Sequence, residues 1–413
     1  MERNKEQNKI QSIQQNNDTK TQVELITEKL EAGMTEIMSD GGKYEDYLRT
    51  ISKFHRYSLN NTMLIYMQNP EASYVAGFDA WEKKFHRHVK KGAHGLKILA
   101  PSPYKMEKDY NIVDPDTNEP IIGKDGLPLT ERKTVTIPAY KAVTVFDVSQ
   151  TYGEPLPEII RTLDGDNSSY TKLMNAIEVV SPVPIEISEI TGRANGYYSQ
   201  KDKKIVIKDG LSQNQTVKTA IHEIAHALLH DEKSLEHVNW DKNEKEVQAE
   251  SIAYTVCNHL GLDTSQYSFG YIASWSEGRD LFELKDNMSV IRNTASNIIE
   301  GIEKQMYLAE REERIVSLAQ DIDSFERTHV PYAYMDKVKN QEEYVKKLQM
   351  DIRDGNIDGL SKVFVTLAGE SSNKAVKDKA DALTKRLEMF RKKERQLYIA
   401  EEQKMTRSHR KRG

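Results

Sequence analysis

The segment Thr219–His230, TAIHEIAHALLH, holds the residue types from which a metal centre is built. His222 and His226 are four apart, so on a helix both imidazoles leave one face and can grip a single ion. Val217, Ile221, Ile224 and Leu228 follow a separate apolar stripe, which puts the histidines at the edge of a cleft. Glu223 neighbours the place of a metal-bound water and suits the role of general base. A zinc hydrolase needs a third protein ligand and an open fourth position. The next helical stretch offers Glu246 and Glu250, whose stripe continues into Ala253 and Cys257. Carboxylates heading a buried stripe need partners, because an unpaired buried charge is costly. Glu246, 20 residues after His226, is therefore expected as the third ligand, and Glu250 as the acceptor that orients a ligand histidine. A structural zinc site would close with four Cys or His ligands, and Cys257 is the only cysteine of the chain. The chemistry expected is amide hydrolysis at one Zn2+ ion, on a protein substrate the sequence does not name. Lys204–Ile207 is expected to be an edge strand that pairs with the extended substrate. His230 reads as a helix-end cation and His237 as a loop residue, neither assigned to the metal.

A second cluster has a different chemistry. Trp81–Lys105 carries seven Lys and Arg residues against Glu82 alone, with His86, His88 and His94 among them. Tyr57, Tyr66, Tyr74, Phe78, Trp81 and Phe85 interleave with or precede these charges. A cationic track with rings that stack is what sequence-tolerant binding of single-stranded DNA requires. The expected contacts are Asn60, Asn61, Trp81, Lys84, Arg87, Lys90, Lys91, Gly92, His94 and Lys97, with the turn at Gly92 bringing backbone N–H groups to a phosphate. The bland alternative is a solvated charged face over a core of aromatics.

Helical and strand periods say which elements must carry these residues. The chain has 413 residues with 59 Lys and Arg against 64 Asp and Glu, a net charge of −5. That length implies two to four domains and excludes a collagenous, disulfide-rich or membrane class. One cysteine, no apolar leader and no apolar run near the roughly 18 residues of a span lead to the expectation of a cytoplasmic protein with no membrane partner. Residues 1–20 read as a mobile tail. Helices follow from Val23 until Gly41-Gly42, from Tyr44 to Arg56 and from Ser58 to Gln68, then strands at Leu96–Leu99 and Thr134–Val148 around an exposed excursion. Gly153–Pro157 reads as a linker. Beyond it come a helix at Tyr170–Val180, a strand at Ile185–Ile190, a hairpin at Gly196–Lys208, and helices at Val217–Leu229 and Asn243–Leu260. The rest is helical, with breaks at Thr328–Pro331 and Gly355–Gly359, and ends in a basic tail.

Several longer stretches resemble one family. They are HRYSLNNTMLIYMQNPEASYVAGFDAW (His55–Trp81), HVKKGAHGLKILAP (His88–Pro101), VFDVSQTYG (Val145–Gly153), GYY (Gly196–Tyr198), HEIAH (His222–His226), EVQAESIAY (Glu246–Tyr254) and YIASW (Tyr271–Trp275). Together they resemble the ArdC-type antirestriction proteins of conjugative elements and their LtrC-like relatives. The resemblance implies an N-terminal domain that binds single-stranded DNA, a zinc-peptidase-like domain, and an antirestriction role during DNA transfer. The gluzincin pattern Glu-x-x-Ala-acidic falls on Glu246, Ala249 and Glu250. The usual Gly-Glu-Lys-Gly turn is Gly-Ala-His-Gly here, Gly92–Gly95.

The expected architecture is α+β: a DNA-binding domain over 21–152, a linker at 153–158, a zincin-like domain over 159–302, and a helical module over 303–413. Two rivals remain. One is a DNA-protecting protein with an idle peptidase, the other a regulatory protease resembling the ImmA/IrrE type that cleaves a repressor.

Overall fold

In the computed structural model the described residues are 23–124, 126–156, 167–232, 240–330, 334–335 and 338–412. The expected tail, the last two residues of the expected linker, and His237 lie outside them. The chain forms two compact units, Met1–Glu303 and Lys304–Gly413. Among the described residues, no helix is long and apolar enough to cross a membrane.

The first unit begins with helices α1 (residues 23–38), α2 (Gly41–Lys53) and α3 (Leu59–Gln68). The Asp40 carboxylate caps α2 by accepting from the Lys43 N–H, and Ser58 caps α3 in the same way through Asn61. Tyr44, Tyr47, Leu48 and Ile51 recur at helical spacing and are fully buried. Strands β1 (Val75–Ala76), β3 (Leu96–Pro101) and β6 (Tyr140–Asp147) form an antiparallel sheet in the order β1-β6-β3. Helix α4 (Phe78–Phe85) and the short pair β2 (Arg87–Val89) with β7 (Thr151–Gly153) complete this region. The run expected as one strand from Thr134 to Val148 is two. Pro138 lacks a backbone donor, so β5 (Thr130–Ile137) ends before it and β6 starts after it. β5 pairs with β4 (Tyr104–Asn111) in a ribbon that is largely exposed on both faces.

Helix α5 (Asn167–Val180) leads into a second sheet, with β8 (Ile185–Ser188), β10 (Lys204–Lys208) and β9 (Gly196–Ser199) side by side in that order. The expected edge strand is thus a central one. Ile205, Val206 and Ile207 are all buried, and a strand covered on both faces takes the middle of a sheet, with β8 parallel and β9 antiparallel to it. Helix α6 (Gln213–Leu229) lies against β9 and β10, and α7 (Lys242–His259) packs on α6.

The two segments expected as separate domains fall in one unit. Helix α2 covers α7: Tyr44 Oη lies 2.7 Å from Ser251 Oγ, and Ser52 Oγ donates to Asn258 Oδ1 at 2.8 Å. Short α8 (Ile272–Ser276) precedes the long α9 (Leu281–His329). In the second unit α10 (Gln341–Arg353), α11 (Asp358–Glu370) and α12 (Lys374–Arg412) share a core that includes Ile322, Phe325, Leu348, Phe364 and Leu387.

Candidate metal centre

Helix α6 starts at Ser212, whose hydroxyl accepts from the Gln215 N–H. Its inner face, Val217, Ala220, Ile221 and Ile224, is buried, which fixes the roll of the helix and turns His222 and His226 outward to α7. Glu246 meets them from α7. The two Nε2 atoms are 3.1 Å apart, and Glu246 oxygens lie 3.6 Å from His222 Nε2 and 3.8 Å from His226 Nε2. Donors around a tetrahedral zinc at ordinary bond lengths stand about 3.3 Å apart, so this set fits one ion. Among the described residues it is the one group of His, Cys, Asp and Glu with this convergence.

Each neighbour has an observable part. Glu250 reaches His222 Nδ1 at 3.3 Å and Lys218 Nζ at 3.4 Å, and Lys218 sits over the Tyr267 ring at 3.5 Å. Burial opposes the charge on His222, but the Glu246 and Glu250 carboxylates prevail and push its imidazole up to about 9. Burial and the His222 charge push His226 down to about 4. Glu223 is buried, which raises its carboxyl above the ordinary carboxylate range even though the Tyr198 backbone N–H donates to it. A carboxylate with a raised pKa is better matched to accepting a proton near neutral pH.

β9 stands close over Glu223 because residue 196 is glycine: a Cβ there would lie 2.5 Å from Thr219 Cγ2 and 3.6 Å from Glu223 Cγ. The Asp231 carboxylate, accepting from Tyr198 Oη and Lys203, ties the β9–β10 hairpin to the end of α6. A cleft of about 460 Å³ opens over the ligands, with Tyr197 and Tyr198 on one wall and Lys242 and Lys245 on the other.

His230 is the residue that sequence reasoning missed. It is 2% exposed, and its Nδ1 stands 2.8 Å from His226 Nδ1. The available signal was the repeat itself: His222, His226 and His230 succeed one another at intervals of four, in one row along the helix.

The expected DNA contacts divide into two groups. Trp81 is 0% exposed; its indole N–H donates to the Phe146 carbonyl at 2.9 Å, and Tyr74 and Phe85 pack on its ring. It is a core residue and offers no face to a base. Asn61 is also engaged, accepting from Leu99 N–H at 2.8 Å and donating to Leu99 O at 2.9 Å. Gln68 repeats this on Lys97, so α3 covers the open edge of β3 with two side-chain amides. Arg87 donates to Thr151 Oγ1 and to the carbonyls of Thr151, Gly153 and Glu154, while Lys90 reaches Ser149 O and Lys97 reaches Thr144 Oγ1. Asn60, Lys84, Lys91, Gly92 and His94 are exposed, with Gly92 at φ +80° in its turn. Gly95 serves packing instead, since a Cβ would lie 2.2 Å from Thr144 Cγ2. Open rings of the region include Phe78 and Tyr152, 55% and 59% exposed, the latter beside His88 at 5.6 Å, and Tyr140 on β6.

Residues 16–146 match the N-terminal domain of anti-restriction factor ArdC, and residues 183–257 match the IrrE N-terminal-like domain of the M78 peptidases. An uncharacterized protein of Bacillus anthracis is 31% identical over 329 residues, 70% of this chain and 54% of that protein. The chain thus spans about half the length of this curated relative. Crystal structures of antirestriction ArdC from plasmid R388, metal-free and Mn(II)-bound, superpose with TM-scores of 0.36 and 0.34 at 20% identity, covering 61% of this chain and 84% of that one.

Proposed function

We infer that this chain, an ArdC-type protein by its pair of matched domains, is a DNA-binding antirestriction factor that carries a single-metal peptidase. One observation carries the reading: His222, His226 and Glu246 converge at the floor of an open cleft, with the buried Glu223 carboxylate next to them. A Zn2+ ion held by that trio supplies Lewis-acid polarisation of a substrate carbonyl. Glu223 accepts the proton of the attacking water and hands it to the leaving amine. Glu250 orients His222. Among the described residues β9 is an edge strand of its sheet, and it lines the cleft, so an extended peptide lies along it rather than along β10.

Single-stranded DNA is the proposed polyanion. Lys84, Lys91 and His94 meet its phosphates, and Phe78 and Tyr152 replace Trp81 as stacking rings. Joining the two activities confines proteolysis to proteins met on transferred DNA.

The test is elemental analysis of the purified protein beside a gel shift on single-stranded DNA. About one zinc per chain is expected, with DNA affinity that falls steeply from low to moderate salt. Absent metal defeats the peptidase half, and salt-independent or absent binding defeats the DNA half. The IrrE-like match favours a second target for the same site, a repressor cleaved as a regulatory event. Incubation with candidate repressors and restriction enzymes separates the two targets.

A further inference from the structure

We propose that His230 is a positioning residue, the first link of a one-way hydrogen-bond relay that holds His226 in the tautomer whose Nε2 lone pair faces the metal position. The proposal rests on the metal-site reading above. The relay runs through four buried side chains. His226 Nδ1 meets His230 Nδ1 at 2.8 Å, and His230 Nε2 meets Gln248 Oε1 at 2.9 Å. Gln248 Nε2 donates to Asn287 Oδ1 at 2.6 Å, and Asn287 Nδ2 donates to Glu244 Oε1 at 2.6 Å. His230, Gln248, Asn287 and Glu244 are each less than a tenth exposed.

The far end fixes the direction. The Glu244 carboxylate, paired with Arg279 at 3.4 Å, only accepts, and so does the Glu283 carbonyl that the same Asn287 amide meets at 3.2 Å. Asn287 must therefore turn its NH2 to Glu244 and its oxygen to Gln248. Gln248 must turn its NH2 to Asn287 and its oxygen to His230. An amide oxygen cannot donate, so the proton of neutral His230 sits on Nε2 and its Nδ1 is the acceptor. His226 then carries its own proton on Nδ1, and Nε2 is left as a bare lone pair beside His222 and Glu246.

The two ligand histidines are thus held by unlike means. His222 is faced by a carboxylate, Glu250 on α7. His226 is held by a relay of neutral groups that ends on a carboxylate and draws on α6, α7 and α9. Ligand histidines lacking such an outer partner bind metal about 10–100-fold more weakly.

Histidine-selective 15N labelling of the metal-free, full-length protein reads the tautomers directly. The expected result is Nδ1–H at His226 and Nε2–H at His230; the opposite tautomer at either residue overturns the relay. Zn2+ affinity by chelator competition is the second readout. His230→Phe removes both the acceptor and the donor and should weaken binding about 10–100-fold. His230→Gln offers an amide oxygen to His226 and an amide N–H to Gln248, so it should restore affinity. A merely structural role would not spare the glutamine variant while leaving the wild-type tautomers unordered. Wild-type protein that takes up no Zn2+ defeats the metal site and the relay together. Wild-type binding with undiminished affinity in His230→Phe defeats the relay alone. If His230→Phe does not fold, the wild-type tautomers decide.

Discussion

The metal cleft and the basic module are both dense in polar side chains, and they use them in opposite ways. Around α6 and α7 the ligand atoms of His222, His226 and Glu246 turn toward one another at the cleft, with Glu250 and His230 behind the two histidines. Around β3 and β6 the polar atoms of Asn61, Arg87, Lys90 and Lys97 are bonded to β3, to β6, or to the 149–154 segment. The first region takes its framework from helix faces and turns its functional groups toward the cleft. In the second, short strands need their edges closed, and side chains of functional type do the closing.

The most severe way to break this contrast is at the cleft. Glu223→Gln keeps all three ligands, so metal content by elemental analysis should stay at the wild-type level while peptide turnover falls about 10²–10⁴-fold. Retained turnover would show that Glu223 is not the base. Trp81→Ala comes next. As a core residue it should cost about 3–5 kcal/mol in a denaturant titration. A variant of native stability with weakened DNA binding would instead make Trp81 a contact.

Asn61→Ala removes two hydrogen bonds from the edge of β3 and should cost about 1–3 kcal/mol by the same titration. An unchanged midpoint would mean that α3 covers the strand without its amides. The mildest substitution is the double one, Lys84→Ala with Lys91→Ala. Stability should not move, whereas the slope of log affinity for single-stranded DNA against log salt should fall by about 1 per lysine. An unaltered slope would place the phosphate track elsewhere on the molecule.

How far each region could be read from its residues follows from the same contrast. The interval of four between His222 and His226, and again between Glu246 and Glu250, places side chains on one helix face whatever the helix packs against. The hairpin at Gly196–Lys208 was legible too, but the place of β10 within its sheet was not, since that depended on a parallel partner, β8, from outside the hairpin. Trp81 and Phe78 are three apart and chemically alike, yet one is sealed against Tyr74 and Phe85 and the other stands open. Only the packing of α4 on the sheet separates them.

By itself, therefore, the sequence determined which side chains share a face of α6 and of α7, and so which residues stand as candidate ligands and base, because a helix converts spacing into direction over a few residues. Tertiary structure decided the rest. It joined α2 to α7 in one unit, moved β10 from the edge to the centre, turned Trp81 inward, and set Gln248 and Asn287 behind His230. Those outcomes depend on which surfaces meet across long stretches of chain, where buried polar groups must each find a partner and no local period says which.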